Sequence, residues 1–221
     1  MDKNKMQVNL IIDFDSTFVK AEALDELAGI ALADDKNRKE IIDEIKKTTI
    51  LGMEGKITFP ESLGRRFKLL SANKEHIKKL IEFLKNNVSE SVKRNRDFFI
   101  KNADNIYIIS GGFREYIVPV AEGYGVKNDH ILANKFIFDD KGNICGFDEN
   151  CNLAKNEGKV KQIREMNLTG ETWVIGDGYT DYQIREAGLA SKFIACCENV
   201  ERENVLKVAD EIIHSFDELK W

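Results

Sequence analysis

The chain has 221 residues, 43% of them hydrophobic and 32% charged, with two prolines and no biased tract. It is long enough to bury a full core without disulfides and is neither disordered nor fibrous in composition. Lys and Arg total 33 against 38 Asp and Glu, a net charge of −5 with both signs interspersed, which offers no continuous basic surface to a nucleic-acid backbone.

In chain order, VNLIIDF (8–14) is a short apolar, β-favouring run that reads as a central buried strand. It is too short for the core of a secretory signal or for a membrane span, so a cytoplasmic protein with no membrane partner is expected, as a monomer or homodimer. Four groups at helical spacing follow: Ala23, Leu24, Leu27 and Ala28; Ile41, Ile42 and Ile45; Leu63, Phe67 and Leu70; Ile77, Leu80, Ile81 and Leu84. They predict four helices. The third has a readable start, because Thr58 and Glu61 form a T-x-x-E capping box and Pro60 falls in the first turn, where its missing N–H costs nothing. A second strand is expected at 106–109. Residues 134–147 hold two apolar runs joined by Asp-Asp-Lys-Gly-Asn, a hairpin signal. Further strands are expected at 173–175, 193–196 and 212–213. Alternation of helix and strand, interrupted by a helical block, implies an α/β doubly wound parallel sheet with an inserted helical cap. The expected division is a core of 1–19 and 93–221, with 20–92 as the cap.

Candidate chemistry collects at the predicted strand ends. Asp13 and Asp15 follow the first strand, Ser110, Gly111 and Gly112 the second, and Asp177 and Asp181 a third, at the sheet edge where open α/β sheets put their ligands. Residues two apart on a strand point the same way, so two carboxylates there need a cation. The Ser-Gly-Gly segment can offer a hydroxyl and unobstructed N–H groups to an anion. Four converging carboxylates are hard oxygen ligands suited to Mg²⁺, whose octahedron a phosphate can complete. Cys145, Cys151, Cys196 and Cys197 show no C-x-x-C spacing and the three histidines lie far apart, which gives zinc little support. Cys196 to Arg202 satisfies C-x5-R, but its loop carries two glutamates and no glycine, the wrong chemistry for a thiolate phosphatase.

These motifs in this order resemble the haloacid dehalogenase superfamily of aspartate-nucleophile phosphatases, in its small-cap branch acting on phosphoserine. The D-x-D-x-T motif is Asp13-Phe14-Asp15-Ser16-Thr17, the second motif Ser110-Gly111-Gly112, the lysine Lys159 at the head of GKVKQIREM, and the acidic motif Gly176-Asp177-Gly178-Tyr179-Thr180-Asp181. The resemblance implies Asp13 as nucleophile, Asp15 as general acid and base, and Ser110 and Lys159 holding phosphate oxygens with Gly111, Gly112 and Thr180 beside them. It further implies Mg²⁺ on Asp13, Asp15 through its carbonyl, Asp177 and Asp181. In the cap it implies Glu22 on a substrate ammonium, Arg66 on its carboxylate, and Met53 and Phe59 closing over a small phosphorylated substrate. Tyr179 and Thr180 depart from the branch, where a small residue and Asn are common. Ile163 and Met166, four and seven residues beyond Lys159, can face the core and favour that lysine over Lys155; helix phase alone separates Arg66 from Arg65. Hydrolysis and transfer to another alcohol remain open from these residues, as does another small phosphomonoester; a non-catalytic binding module is disfavoured by the full set of motifs.

Overall fold

A computed structural model describes residues 8–221. Its centre is a six-stranded, wholly parallel sheet in the order β3-β2-β1-β6-β7-β8. The strands are β1 (Val8–Ile12), β2 (Ile106–Phe113), β3 (Ile131–Asn134), β6 (Glu171–Gly176), β7 (Lys192–Cys196) and β8 (Glu211–Ile213). Along β1, Leu10 and Ile12 enter one apolar cluster and Ile11 the other, because successive side chains point to opposite faces. The sheet is therefore covered on both sides, which is why its strands are almost uninterrupted hydrophobic runs.

Between β1 and β2 lie α1 (Ala23–Ala31), α2 (Arg38–Met53), α3 (Phe59–Leu69) and α4 (Lys74–Asn86), the four expected helices. Two short helices, α5 (Glu90–Arg94) and α6 (Arg96–Lys101), were not expected; each is too short to display a helical period. The chain leaves and re-enters the core side by side. Val19 bridges Val88, Lys20 N–H donates to Asn87 O at 2.8 Å and Ser89 N–H to Phe18 O at 3.0 Å. The helical block is not walled off, since Leu27, Leu63, Leu80 and Leu84 share a cluster with Phe14, Phe18, Phe113 and Tyr116. Thr58 caps α3 by accepting from Glu61 N–H at 3.3 Å, but the Glu61 carboxylate turns to Arg65 at 2.6 Å, so the capping box is realised in one direction only.

The remaining helices are α7 (Arg114–Ala121), α8 (Gly158–Met166), α9 (Tyr179–Glu186) and α10 (Glu203–Leu206). The hairpin forms from β4 (Phe136–Phe138) and β5 (Ile144–Phe147), with Gly142 at φ +80° in its turn. It carries the helical block on its flank: Phe147 meets Phe67 of α3 edge-on at 5.0 Å, and Ile144 N–H donates to Ala72 O at 2.9 Å. The edge strand β3 is the one strand without an expectation of its own. It runs into the hairpin through DHILANKFIF with no glycine or proline between them, so the two read as one apolar stretch.

Candidate active site

The strand order turns outward in both directions from the β1–β6 pair, and the crevice above such a switch point is where doubly wound sheets bind ligands. Asp13 follows β1 directly and Asp177 follows β6. The strand ends at Ile12, two residues earlier than expected. Both acids of D-x-D line one cavity, and directly after them Ser16 takes φ 54°, ψ −1°, a left-handed conformation that is costly for serine.

Each member of the turn is pinned. Asp13 N–H donates to Ile175 O at 2.9 Å, and the Asp13 carboxylate accepts from Phe14 N–H at 2.8 Å. The Asp15 carboxylate accepts from Ala23 N–H at 2.9 Å, at the positive end of α1. Burial, reinforced by the charge of Glu22, still pushes Asp15 well above the usual carboxylate range. A shift in that direction favours the protonated form that a general acid requires.

Lys159 Nζ lies 2.8 Å from Asp13 Oδ1 and 2.7 Å from Asp181 Oδ1, with all three residues buried. Burial opposes the lysine's charge, but Asp13 and Asp181 overcome it and hold the ammonium protonated above its ordinary range. Lys155 donates instead to Asn150 O at 2.8 Å. Lys159 reaches the cluster because α8 begins at Gly158, packed so tightly that a Cβ there would lie 2.5 Å from Asn152 O.

Asp13, Asp177 and Asp181 offer carboxylate oxygens all within 4.8 Å of one another. Burial pushes Asp177 and Asp181 each to about 7, and a buried triad of hard oxygen donors fits a divalent cation. The Asp15 carboxylate is not part of this triad. Gly176 is obligatory, because a Cβ would meet the Asp181 carboxylate carbon at 2.3 Å. Ser110, Gly111 and Gly112 stand on the irregular end of β2 itself, where the ladder shifts register, and do not follow the strand as expected. Ser110 Oγ accepts from Gly112 N–H at 3.0 Å.

Asp13, Asp15, Lys159 and the Ser-Gly-Gly segment face a cavity of about 490 Å³ whose opposite wall comes from the helical block: Glu22, Met53, Phe59 and Arg66, with Tyr179 and Thr180 at its side. Phe59 lies directly on the Ser-Gly-Gly segment, since a Cβ on Gly111 would be 2.5 Å from its Cζ. Arg66 is buried and Arg65 is not; Arg65 pairs with Glu61 on the surface. Glu22 accepts from Ser16 Oγ at 2.8 Å.

Four residues of this neighbourhood went unassigned in the sequence. Thr17 donates to Asp177 at 3.1 Å, which gives the threonine of D-x-D-x-T a task. Arg202 contacts Asp177 and lies 3.5 Å from Glu22; its signal was the C-x5-R match, weighed for thiol chemistry alone. Burial pushes the Cys196 thiol up to about 12, which removes it as a nucleophile. Asp25 and Thr49 hold Arg66 from behind, through contacts no local motif announces.

This arrangement of acids around the switch point defines an aspartate-based hydrolase. The family model described as haloacid dehalogenase-like hydrolase matches residues 10–186, and the chain belongs to that family. A chloroplastic phosphoserine phosphatase from Arabidopsis thaliana is 36% identical over 215 residues, covering 94% of this chain and 68% of the relative. Among solved structures, a phosphoserine phosphohydrolase-like protein from Francisella tularensis superposes with TM-score 0.86 at 32% identity, covering 95% of this chain and 96% of the other. A phospho-aspartyl intermediate analogue of phosphoserine phosphatase superposes with TM-score 0.75 at 28% identity, covering 96% and 95%. The resemblance inferred from the motifs thus holds for the whole fold, including the inserted helical cap.

Proposed function

We propose that the protein hydrolyses L-phosphoserine to L-serine and inorganic phosphate, with 20–92 as its cap. The observation that carries this reading is one cavity with Asp13, Asp15 and Lys159 on its floor and Glu22 and Arg66 in its wall. A phosphorylated amino acid presents a dianion, an ammonium and a carboxylate, and the cavity carries a counterpart for each. Relatives described as phosphoserine phosphatases, and one solved as a phospho-aspartyl analogue, support the same chemistry.

In the first step an Asp13 carboxylate oxygen bonds to phosphorus as the P–O bond to serine breaks, and Asp15 gives its proton to the departing alkoxide. In the second, Asp15 takes a proton from water, whose oxygen bonds to phosphorus while the Asp13–phosphorus bond breaks. Lys159 and Ser110 hold the equatorial oxygens, and the Gly111 and Gly112 backbone lets them approach. Asp13, the Asp15 carbonyl, Asp177 and Asp181 would hold Mg²⁺, which supplies charge neutralisation between nucleophile and phosphate. Met53 and Phe59 close over the substrate's short side chain and exclude water.

The test is Mg²⁺-dependent phosphate release from L-phosphoserine beside phosphothreonine, phosphoethanolamine, a sugar phosphate and p-nitrophenyl phosphate. Preference for phosphoserine is expected; a flat profile, or faster turnover of a carboxylate-free ester, would overturn the substrate assignment.

A further inference from the structure

Arg66 is the cavity's candidate carboxylate reader, yet its immediate surroundings are acidic: Asp15 and Glu22 line the same cavity. A guanidinium on a flexible stem can collapse onto either, blocking the ligand site. The structure contains a clamp against that. Arg66 Nε donates to Ser62 O at 3.4 Å, and Nη1 donates to Thr49 Oγ1 at 3.3 Å with Asp25 Oδ1 3.7 Å away. Thr49 Oγ1 in turn donates to Asp25 Oδ1 at 2.8 Å.

Three helices meet at this point: Asp25 on α1, Thr49 on α2, Arg66 on α3. Asp25 and Arg66 are each 6% exposed, and neither Asp25 nor Thr49 lines the cavity. The clamp uses Nε and Nη1, so Nη2, which makes no hydrogen bond among the described residues, is the nitrogen left for a ligand. A buried arginine held at two of its nitrogens is preorganised, and less is lost when a carboxylate docks on the third.

We propose that Asp25 and Thr49 are positioning residues that set the selectivity of this site for carboxylate-bearing phosphomonoesters by fixing the Arg66 guanidinium. The inference rests on the reading of Arg66 as the substrate's carboxylate partner and adds to it the pair through which that role is exercised.

Thr49→Val keeps the volume and removes the hydroxyl shared by Asp25 and Arg66; Asp25→Asn removes the charge; Thr49→Ser restores the hydroxyl. Steady-state kinetics on L-phosphoserine and p-nitrophenyl phosphate, with thermal melting of each variant, separate the possibilities. Thr49→Val and Asp25→Asn should raise KM for phosphoserine roughly tenfold, the size of one misaligned hydrogen bond to a charged group. Values for kcat, and both constants for p-nitrophenyl phosphate, should stay within about twofold, and Thr49→Ser should return KM to the wild-type value. An equal loss on both esters, or no loss on either, would overturn the proposal and leave the pair a purely structural role. Should Asp25→Asn fail to fold, the Thr49→Val and Thr49→Ser pair decides alone. A wild-type enzyme without preference for phosphoserine would instead overturn the substrate reading, and the inference with it.

Discussion

The Asp13 carboxylate is held by the Phe14 N–H and by Lys159, so its replacement by Asn keeps both volume and most contacts. Asp13→Asn is expected to abolish phosphate release while circular dichroism and melting stay close to wild type; residual turnover above about one thousandth would argue against a nucleophile there. Gly111 makes the complementary case. Its missing Cβ is what lets Phe59 lie on the Ser-Gly-Gly segment, so Gly111→Ala should displace the ring and raise KM for phosphoserine. The melting point should barely move, because the displaced atoms are the tip of a partly buried side chain. Both residues were legible in the sequence, because each belongs to a contiguous motif at the end of a strand. Arg202, Asp25 and Thr49 were not. Arg202 meets Asp177 across 25 residues and Thr49 meets Asp25 across 24, and pairings of that span follow from how elements pack, not from local pattern.

At the scale of elements, hydrophobic period carried the four long helices and most of the sheet, while β3, α5 and α6 were too short or too poorly punctuated to stand out. The D-x-D segment shows where period misleads. Strand alternation would set Asp13 and Asp15 on one side, but the strand ends at Ile12 and both acids lie in the irregular segment beyond it. The short α5 has a function that period could not reveal, since it moors the C-terminal end of the chain: Arg94 Nη2 donates to Asp217 Oδ2 at 2.6 Å and Asn95 Nδ2 to Asp217 Oδ1, also at 2.6 Å. Arg94, Asn95 and Ser215 lower Asp217 from 3.8 to about 2. A carboxyl with a depressed folded-state pKa stabilises the fold above its unfolded value and loses that contribution as pH falls through the folded one. The difference in melting temperature between wild type and Asp217→Asn should therefore be present at pH 7, shrink below about pH 4 and vanish near pH 2. A difference independent of pH would mean that the aspartate acts through shape alone. The effect will be small, because the pair is solvent-exposed and screened.

For the molecule as a whole, a divalent cation on the buried acidic triad would make stability depend on that cation. Asp13, Asp177 and Asp181 are gathered only in the folded chain, and a ligand that binds that state alone stabilises it by about 2.7 kcal/mol at a hundredfold excess over its Kd. Mg²⁺ should raise the melting temperature, EDTA should reverse the gain, and Asp177→Asn should abolish the response; an unchanged melting curve in wild type would remove the cation from the site. The shared cluster joining the helical block to the sheet has a different kind of consequence. Leu27, Leu63, Leu80 and Leu84 are the lid's undersurface and, equally, the roof over Phe18, Phe113 and Tyr116. A chain trimmed to its catalytic sheet would hand those aromatic faces to water and invite aggregation. The smallest heritable unit of this architecture is thus sheet and lid together, and descent toward a lidless form would have to begin by repainting the roof line with polar residues before a single helix was lost.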